Sequence, residues 1–130
     1  MISFILKFLK FIFSGAGSGL GQLMSVEFAK LGAKIVAWDI NDDGLKRTKQ
    51  LVEEAGSKCF TYNVDISDRL KIYEAAQKVK QEVGIVYMLI NNAGIVIGKY
   101  FLDLKDEEIE RTMNVNAMSN FWTCNYIFLI

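Results

Sequence analysis

Apolar residues fall in two alternating patterns along this chain. Short continuous runs occupy 11–13, 33–38, 59–64 and 85–90. Between them, apolar side chains recur at steps of three and four. Continuous runs of this length predict buried strands, and the three-four spacing predicts amphipathic helices. The first helix carries Leu20, Leu23, Met24, Phe28 and Leu31 as its inner stripe and stops at Gly32. The second opens on Asn41 as N-cap, with Asp42 and Asp43 in its first turn. Its stripe is Leu45, Thr48, Leu51 and Val52, and Gly56 ends it. Ser67 or Asp68 caps the third, which buries Ile72, Ala75, Ala76, Val79 and Val83 before Gly84. A loop reaching about residue 103 leads into a last helix, acidic at Asp106, Glu107 and Glu108 and apolar to its end.

The element order is therefore β-α-β-α-β-α-β-α with short connections. Such alternation predicts an α/β fold, a doubly wound parallel sheet with helices on both faces and right-handed crossovers. The expected strand order is 3-2-1-4, with a ligand crevice beyond the strand ends between strands 1 and 4. The groups at those ends are the glycine turn after residue 13, then Asp39, Asp65 and the run Asn91, Asn92, Ala93, Gly94.

Composition narrows the picture. At 130 residues the chain is long enough for a single domain with a core. Formal charge is balanced, which gives no reason to expect nucleic acid as a partner. There is no histidine, which removes the usual zinc ligand and the usual base of hydrolases. Cys59 and Cys124 lie far apart without metal-ligand spacing; they read as buried reduced thiols in a cytoplasmic chain, or one on the cytosolic face of a membrane, and not secreted. Residues 1–13 are almost wholly apolar, too short to span a bilayer as a helix, and read as a first strand with an extension or as an interfacial anchor. Lys10, inside that stretch, has to snorkel toward the end of the sheet.

Gly15, Gly19 and Gly21 form G-x-x-x-G-x-G between a strand and a helix. Glycines there permit a tight turn and a close approach of pyrophosphate to the backbone, whose charge meets the helix N-terminus. The same residues also suit a flexible surface loop. Asp39 stands where an acid would accept hydrogen bonds from two ribose hydroxyls and repel a 2′-phosphate. No arginine or lysine lies in the glycine turn or just after Asp39, which favours NAD over NADP. The plainer reading of Asp39 is an acid solvating a strand end. Asp65 suits an adenine amine or, equally, a cap partner for Ser67 and Asp68. Asn91 and Asn92 can tie strands together, with room left at Ala93 and Gly94, or form an ordinary turn.

With these residues in place the chain resembles the short-chain dehydrogenase/reductase family. The stretch Ser14, Gly15, Ala16, Gly17, Ser18, Gly19, Leu20, Gly21 is similar to its T-G-x-x-x-G-x-G motif, and residues 91–94 to its N-N-A-G motif. The resemblance runs from about residue 11 to 126 and is nearest the retinol dehydrogenase and membrane-associated 17-beta-hydroxysteroid dehydrogenase branch. It implies a Rossmann-like domain over 1–130, partial because it is truncated after the fourth strand and following helix. It implies that NAD is held by Ser14, Gly15, Gly17, Ser18, Gly19, Leu20, Gly21, Asp39, Asp65, Asn92, Ala93 and Gly94. Asn116 matches the helix asparagine of the family's catalytic tetrad. The implied reaction is hydride transfer on a lipophilic alcohol or ketone such as a retinoid or steroid. The implied location is the endoplasmic reticulum or a lipid droplet.

The family's serine and its tyrosine with a lysine four residues on do not appear: Tyr62, Tyr73, Tyr87, Tyr100 and Tyr126 lead to Ile66, Gln77, Asn91, Leu104 and Ile130. The expectation is thus an oxidoreductase relative inactive as written. The alternative is a non-catalytic nucleotide-binding fragment, or the product of a decayed or alternatively spliced gene. Either could pair with itself or with a full-length relative through the last helix.

Overall fold

The computed structural model describes residues 8–128. Four strands, β1 (Lys10–Ser14), β2 (Lys34–Asp39), β3 (Cys59–Asn63) and β4 (Met88–Ile90), form one sheet in the order β3-β2-β1-β4. All neighbours are parallel, with Phe13 beside Ala37 on one side and Ile90 on the other. Strand order and direction match the sequence expectation. The reading of residues 1–7 as strand extension or anchor lies outside the described residues.

Alternation along the strands sorts the core onto two faces. Phe11, Phe13, Ile35, Ala37 and Cys59 face α1 (Gly19–Lys30) and α2 (Asp42–Glu54). Ile12, Val36 and Trp38 face α3 (Arg69–Glu82) and the final helix. That helix is α4 (Asp106–Met113), a π-helical turn (Asn114–Met118) and α5 (Ser119–Phe128) in continuous succession. Tyr126 stacks on Tyr73 of α3 with ring centroids 3.9 Å apart, which packs α5 on α3.

The helix caps follow the sequence. Asn41 accepts from the Gly44 N–H at 3.0 Å, and Asp68 accepts from the Leu70 N–H at 2.9 Å. Gly32, Gly56 and Gly84 end α1, α2 and α3 at positive φ. Lys10 is half-buried at the first position of β1, with its Nζ beside Gly84 at the foot of the sheet, as snorkelling requires.

Four expectations need correction. Of the expected stripe on α1, Met24 and Phe28 pack on the core, with Phe28 edge-on to Phe11, but Leu20, Leu23 and Leu31 are exposed and the fully buried positions are Gly21, Ser25 and Ala29. Small residues bring that helix close to the sheet, and a leucine stripe would hold it off. Strand β4 covers three residues rather than six, and Ile85 and Tyr87 are exposed. Its ladder with β1 spans residues 11–13, and ahead of it the Tyr87 N–H still reaches the Lys10 carbonyl at 2.9 Å while the Tyr87 side chain stays exposed. Cys59 is buried but Cys124 is exposed. Leu51 is only half-buried on α2, where Leu45, Thr48 and Val52 point inward.

Candidate functional site

Beyond the carboxyl ends of the strands, where β1 and β4 send their chains to opposite faces, lies a crevice of about 400 Å³. It is built outward from Ser14, the last and fully buried residue of β1. The Ser14 hydroxyl accepts from the N–H groups of Asn92 (3.0 Å) and Ala93 (3.1 Å). Asn92 returns the contact, donating from Nδ2 to the carbonyls of Ser14 (3.0 Å) and Gly15 (3.3 Å). The two motifs read from the sequence thus form one hydrogen-bonded unit across the β1–β4 seam.

The glycines of the turn do different things. Gly15 has φ +66°, and a Cβ there would sit 2.8 Å from Ala93 Cα, so the conformation and the crowding both require glycine. A Cβ at Gly21 would overlap the Gly15 carbonyl oxygen, because the first turn of α1 lies directly against the loop. Gly17 is buried, with its N–H bound to Asp39 Oδ2 at 2.8 Å. From below, the Thr48 hydroxyl on α2 donates to the Ala16 carbonyl at 2.7 Å, and Gly44 presses so close that a Cβ would strike the Gly17 carbonyl. Sequence reading missed Gly44; a glycine in the first turn of a helix was the available signal.

The exposed rim of the turn is Ser18, Gly19 and Leu20, all lining the crevice. Ser18 is the N-cap of α1 without a side-chain cap bond, and α1 has no acid in its first turn. Gln22 donates to the Ser18 carbonyl at 3.2 Å, so among the described residues the N–H groups of Gly19, Leu20 and Gly21 precede the first bonded turn. This terminus suits an anion through its free donors and the helix dipole.

Asp39 closes β2 at the rim. Its Oδ1 accepts from the Asn41 N–H at 2.9 Å and its Oδ2 from Gly17, which fixes the carboxylate and leaves each oxygen a further lone pair. Asp65 lies on the next strand connection. Its Oδ1 accepts from the Ser67 N–H (3.0 Å) and hydroxyl (2.6 Å), so the cap-partner reading describes its internal contacts while it also lines the crevice. Burial works against its charge, but Ser67 and the nearby Lys71 and Arg111 outweigh that and hold its carboxyl below the usual range.

The far wall is the loop after β4 and α4. Ala93, Gly94 and Ile95 line it, and Asn116 holds it: its Oδ1 accepts from the Ile95 N–H and its Nδ2 donates to the Ile95 carbonyl, both at 2.8 Å. The side chain of Asn116 is spent on the loop backbone and is absent from the crevice lining. Asn91 turns away, accepting from the Thr123 hydroxyl at 2.9 Å and so docking α5. Of the motif residues, Ser14, Gly17 and Gly21 stand behind the surface, while Gly15, Asp39, Asp65 and Asn92 reach it. Sequence reading missed Ile40, Val64, Ile66 and Val115, which supply apolar walls, and Arg111. Val64 and Ile66 flank Asp65 and were accessible as its neighbours; Arg111 was not, because only the tertiary fold brings α4 here.

A doubly wound parallel sheet with a glycine turn, a helix N-terminus and an acid at the switch point defines a Rossmann-like nucleotide-binding domain. The short chain dehydrogenase profile matches residues 11–129, and the chain belongs to that family. It is 49% identical over 113 residues to short-chain dehydrogenase/reductase family 16C member 6 of Bos taurus, covering 86% of this chain and 36% of that protein. It is 47% identical over 113 residues to epidermal retinol dehydrogenase 2 of Homo sapiens (86% and 37%) and 46% identical over 112 to human estradiol 17-beta-dehydrogenase 11 (86% and 37%). The chain thus spans little more than a third of the length of these relatives. Among solved structures, a metagenomic short-chain oxidoreductase in complex with NADP superposes with TM-score 0.91 at 22% identity, over 95% of this chain and 57% of that one. An alcohol dehydrogenase from the archaeon Thermococcus sibiricus, complexed with 5-hydroxy-NADP, gives 0.87 at 24% identity, over 92% and 52%. These two establish the shared fold.

Proposed function

We propose that this chain is the NAD-binding part of an oxidoreductase for lipophilic alcohols or ketones, and that the 130 residues bind NAD without turning over substrate. The carrying observation is Asp39. Its carboxylate is fixed by the Gly17 and Asn41 N–H groups at the rim of the crevice, with lone pairs left for two ribose hydroxyls. A fixed anion there favours a diol and repels a 2′-phosphate. The pyrophosphate would lie on the N–H groups of Gly19 and Leu20, and Ala93 and Gly94 would leave room on the nicotinamide side. When bound, the nicotinamide would give or take the hydride.

Absence of turnover is supported by proton chemistry. No tyrosine of the sequence has a lysine four residues on. Tyr62 is pushed well above the usual phenol range by burial and by its hydrogen bond to Glu82, the opposite of what a base at neutral pH needs. The names of the relatives support a retinoid or steroid as the class of substrate. Exposed Met113, Met118 and Phe121 along the final helix support pairing with a second copy or a longer relative. Free Cys59 and Cys124 support a cytoplasmic or cytosol-facing location.

Calorimetry with NAD and NADP on the wild-type chain and on Asp39→Ala tests the reading. Expected are saturable NAD binding, weaker NADP binding, and loss of that preference in the variant. A wild-type chain that binds neither dinucleotide, or prefers NADP, overturns it.

A further inference from the structure

Arg111 has no role in the motifs that define the site, yet it lines the same crevice. It lies near the end of α4, one turn before Val115 in the π-helical turn, and Val115 shares a buried cluster with Val64 and Ile66. Val115 is 6% exposed and forms the floor; Arg111 is exposed at the mouth. Its guanidinium makes no hydrogen bond or ion pair among the described residues, although Asp65 lies near enough to feel its charge. Asp65 is instead satisfied by Ser67. The adenine end of the crevice therefore has apolar walls at Val64, Ile66 and Val115, an acceptor at Asp65, and an unpaired planar cation on the α4 side.

We propose that Arg111 is the adenine-specificity residue of this site, its guanidinium lying over the face of the bound purine while Asp65 takes the base edge. The inference rests on the NAD reading above and deepens it. A guanidinium plane over an aromatic face is attractive through the ring quadrupole and covers apolar area at the same time. The placement of the final helix sets the pocket height, and that helix is held by Asn116 on Ile95, Thr123 on Asn91 and Tyr126 on Tyr73. Position favours the base: Arg111 stands beside Asp65 and the apolar Val64, Ile66 and Val115, whereas the helix end that suits an anion is at Gly19 on α1. Asp39 adjoins this end, its carbonyl accepting from the Val64 N–H at 2.9 Å, so the NADP arm of the titration decides between the purine face and a 2′-phosphate.

Titrations of NAD, NADP and ADP-ribose into wild type, Arg111→Ala and Arg111→Lys test this, with thermal unfolding as the check that the exposed substitution leaves the fold intact. Arg111→Ala is expected to weaken all three ligands by a common factor of about three to ten. Arg111→Lys keeps the charge but loses the plane, and is expected to recover only part of the loss. Equal affinities in wild type and Arg111→Ala would overturn the proposal. So would a loss confined to NADP, which would mark Arg111 as a 2′-phosphate ligand. A wild-type chain binding none of the three would remove the NAD reading and this inference with it, whereas normal NAD binding insensitive to Arg111 would remove only the inference.

Discussion

The two walls of the crevice are held in different ways. On the β1–α1 side, Ser14, Asn92, Asp39 and Thr48 converge on the backbone of the glycine turn, and the glycines bear directly on their neighbours. Every displacement there breaks several bonds at once. On the α4 side, the loop after β4 exposes Val96, Tyr100, Phe101 and Leu102, and its start is fixed to the helix by Asn116. One wall is tied by several bonds converging on one turn; the other is tied at separate points, Asn116 to Ile95, Lys99 to Glu108 and Thr123 to Asn91. The wall tied at one turn carries the groups aimed at phosphate and ribose, and the wall tied at separate points carries Arg111 and Val115. Substitutions on the first should therefore act on folding and binding together, and those on the second on binding with little effect on folding.

The sharpest way to break this contrast is Gly21→Ala. The added methyl must push α1 off the Gly15 carbonyl, and we expect about 2 kcal/mol or more of destabilisation together with loss of NAD binding, read by urea unfolding and calorimetry. A stability equal to wild type would show that the first wall yields. Asn116→Ala comes next. Its two bonds to Ile95 are partly open to solvent, so the cost to global stability should be about 1 kcal/mol or less. Hydrogen exchange at the Ile95 amide should nevertheless accelerate strongly, and NAD affinity should fall several-fold. If exchange at Ile95 stays slow, other contacts hold the second wall. The smallest effect concerns acid. Because the folded-state pKa of Asp65 is depressed, its contribution is complete above the ordinary carboxylate value of about 4 and is lost as pH falls through and below it. Stability of Asp65→Asn, measured across that range, should decline less steeply than that of wild type.

Much of this was legible in the sequence. Continuous apolar runs gave four strands and their order, and Asn41 and Asp68 cap as their side chains dictate. Asp39, Asp65 and the asparagine run fall at strand ends, where the alternation put them. What failed has a common physical source, tertiary approach distance. Spacing alone put Leu20, Leu23 and Leu31 beside Met24 and Phe28 on the inner face of α1; Met24 and Phe28 do pack inward, but the helix lies so close to the turn and sheet that Gly21, Ser25 and Ala29 take the buried line. Apolar content alone extended β4 to residue 85, although its contact with β1 stops at the Tyr87 N–H bond to Lys10, the first residue of β1. The tertiary partner of Asn116, the Ile95 backbone 21 residues away, was likewise beyond what spacing shows. The π-helical turn around Asn116, and the arrival of Arg111 in the crevice, depend on how the final helix seats against β4 and α3.

The bonds between Ser14 and Asn92 join residues 78 apart in the chain. Strands β1 and β2, by contrast, are joined by one short helix. Closing the longer loop costs more entropy and gains nothing until both ends meet. The β1–β2–β3 ladder can assemble from nearest neighbours, whereas the seam with β4 must wait for three intervening units to order. Contact order therefore predicts that the crevice closes last. A dinucleotide that requires the closed seam would act kinetically as a late latch, slowing unfolding of the finished domain while leaving the early steps of its assembly unchanged.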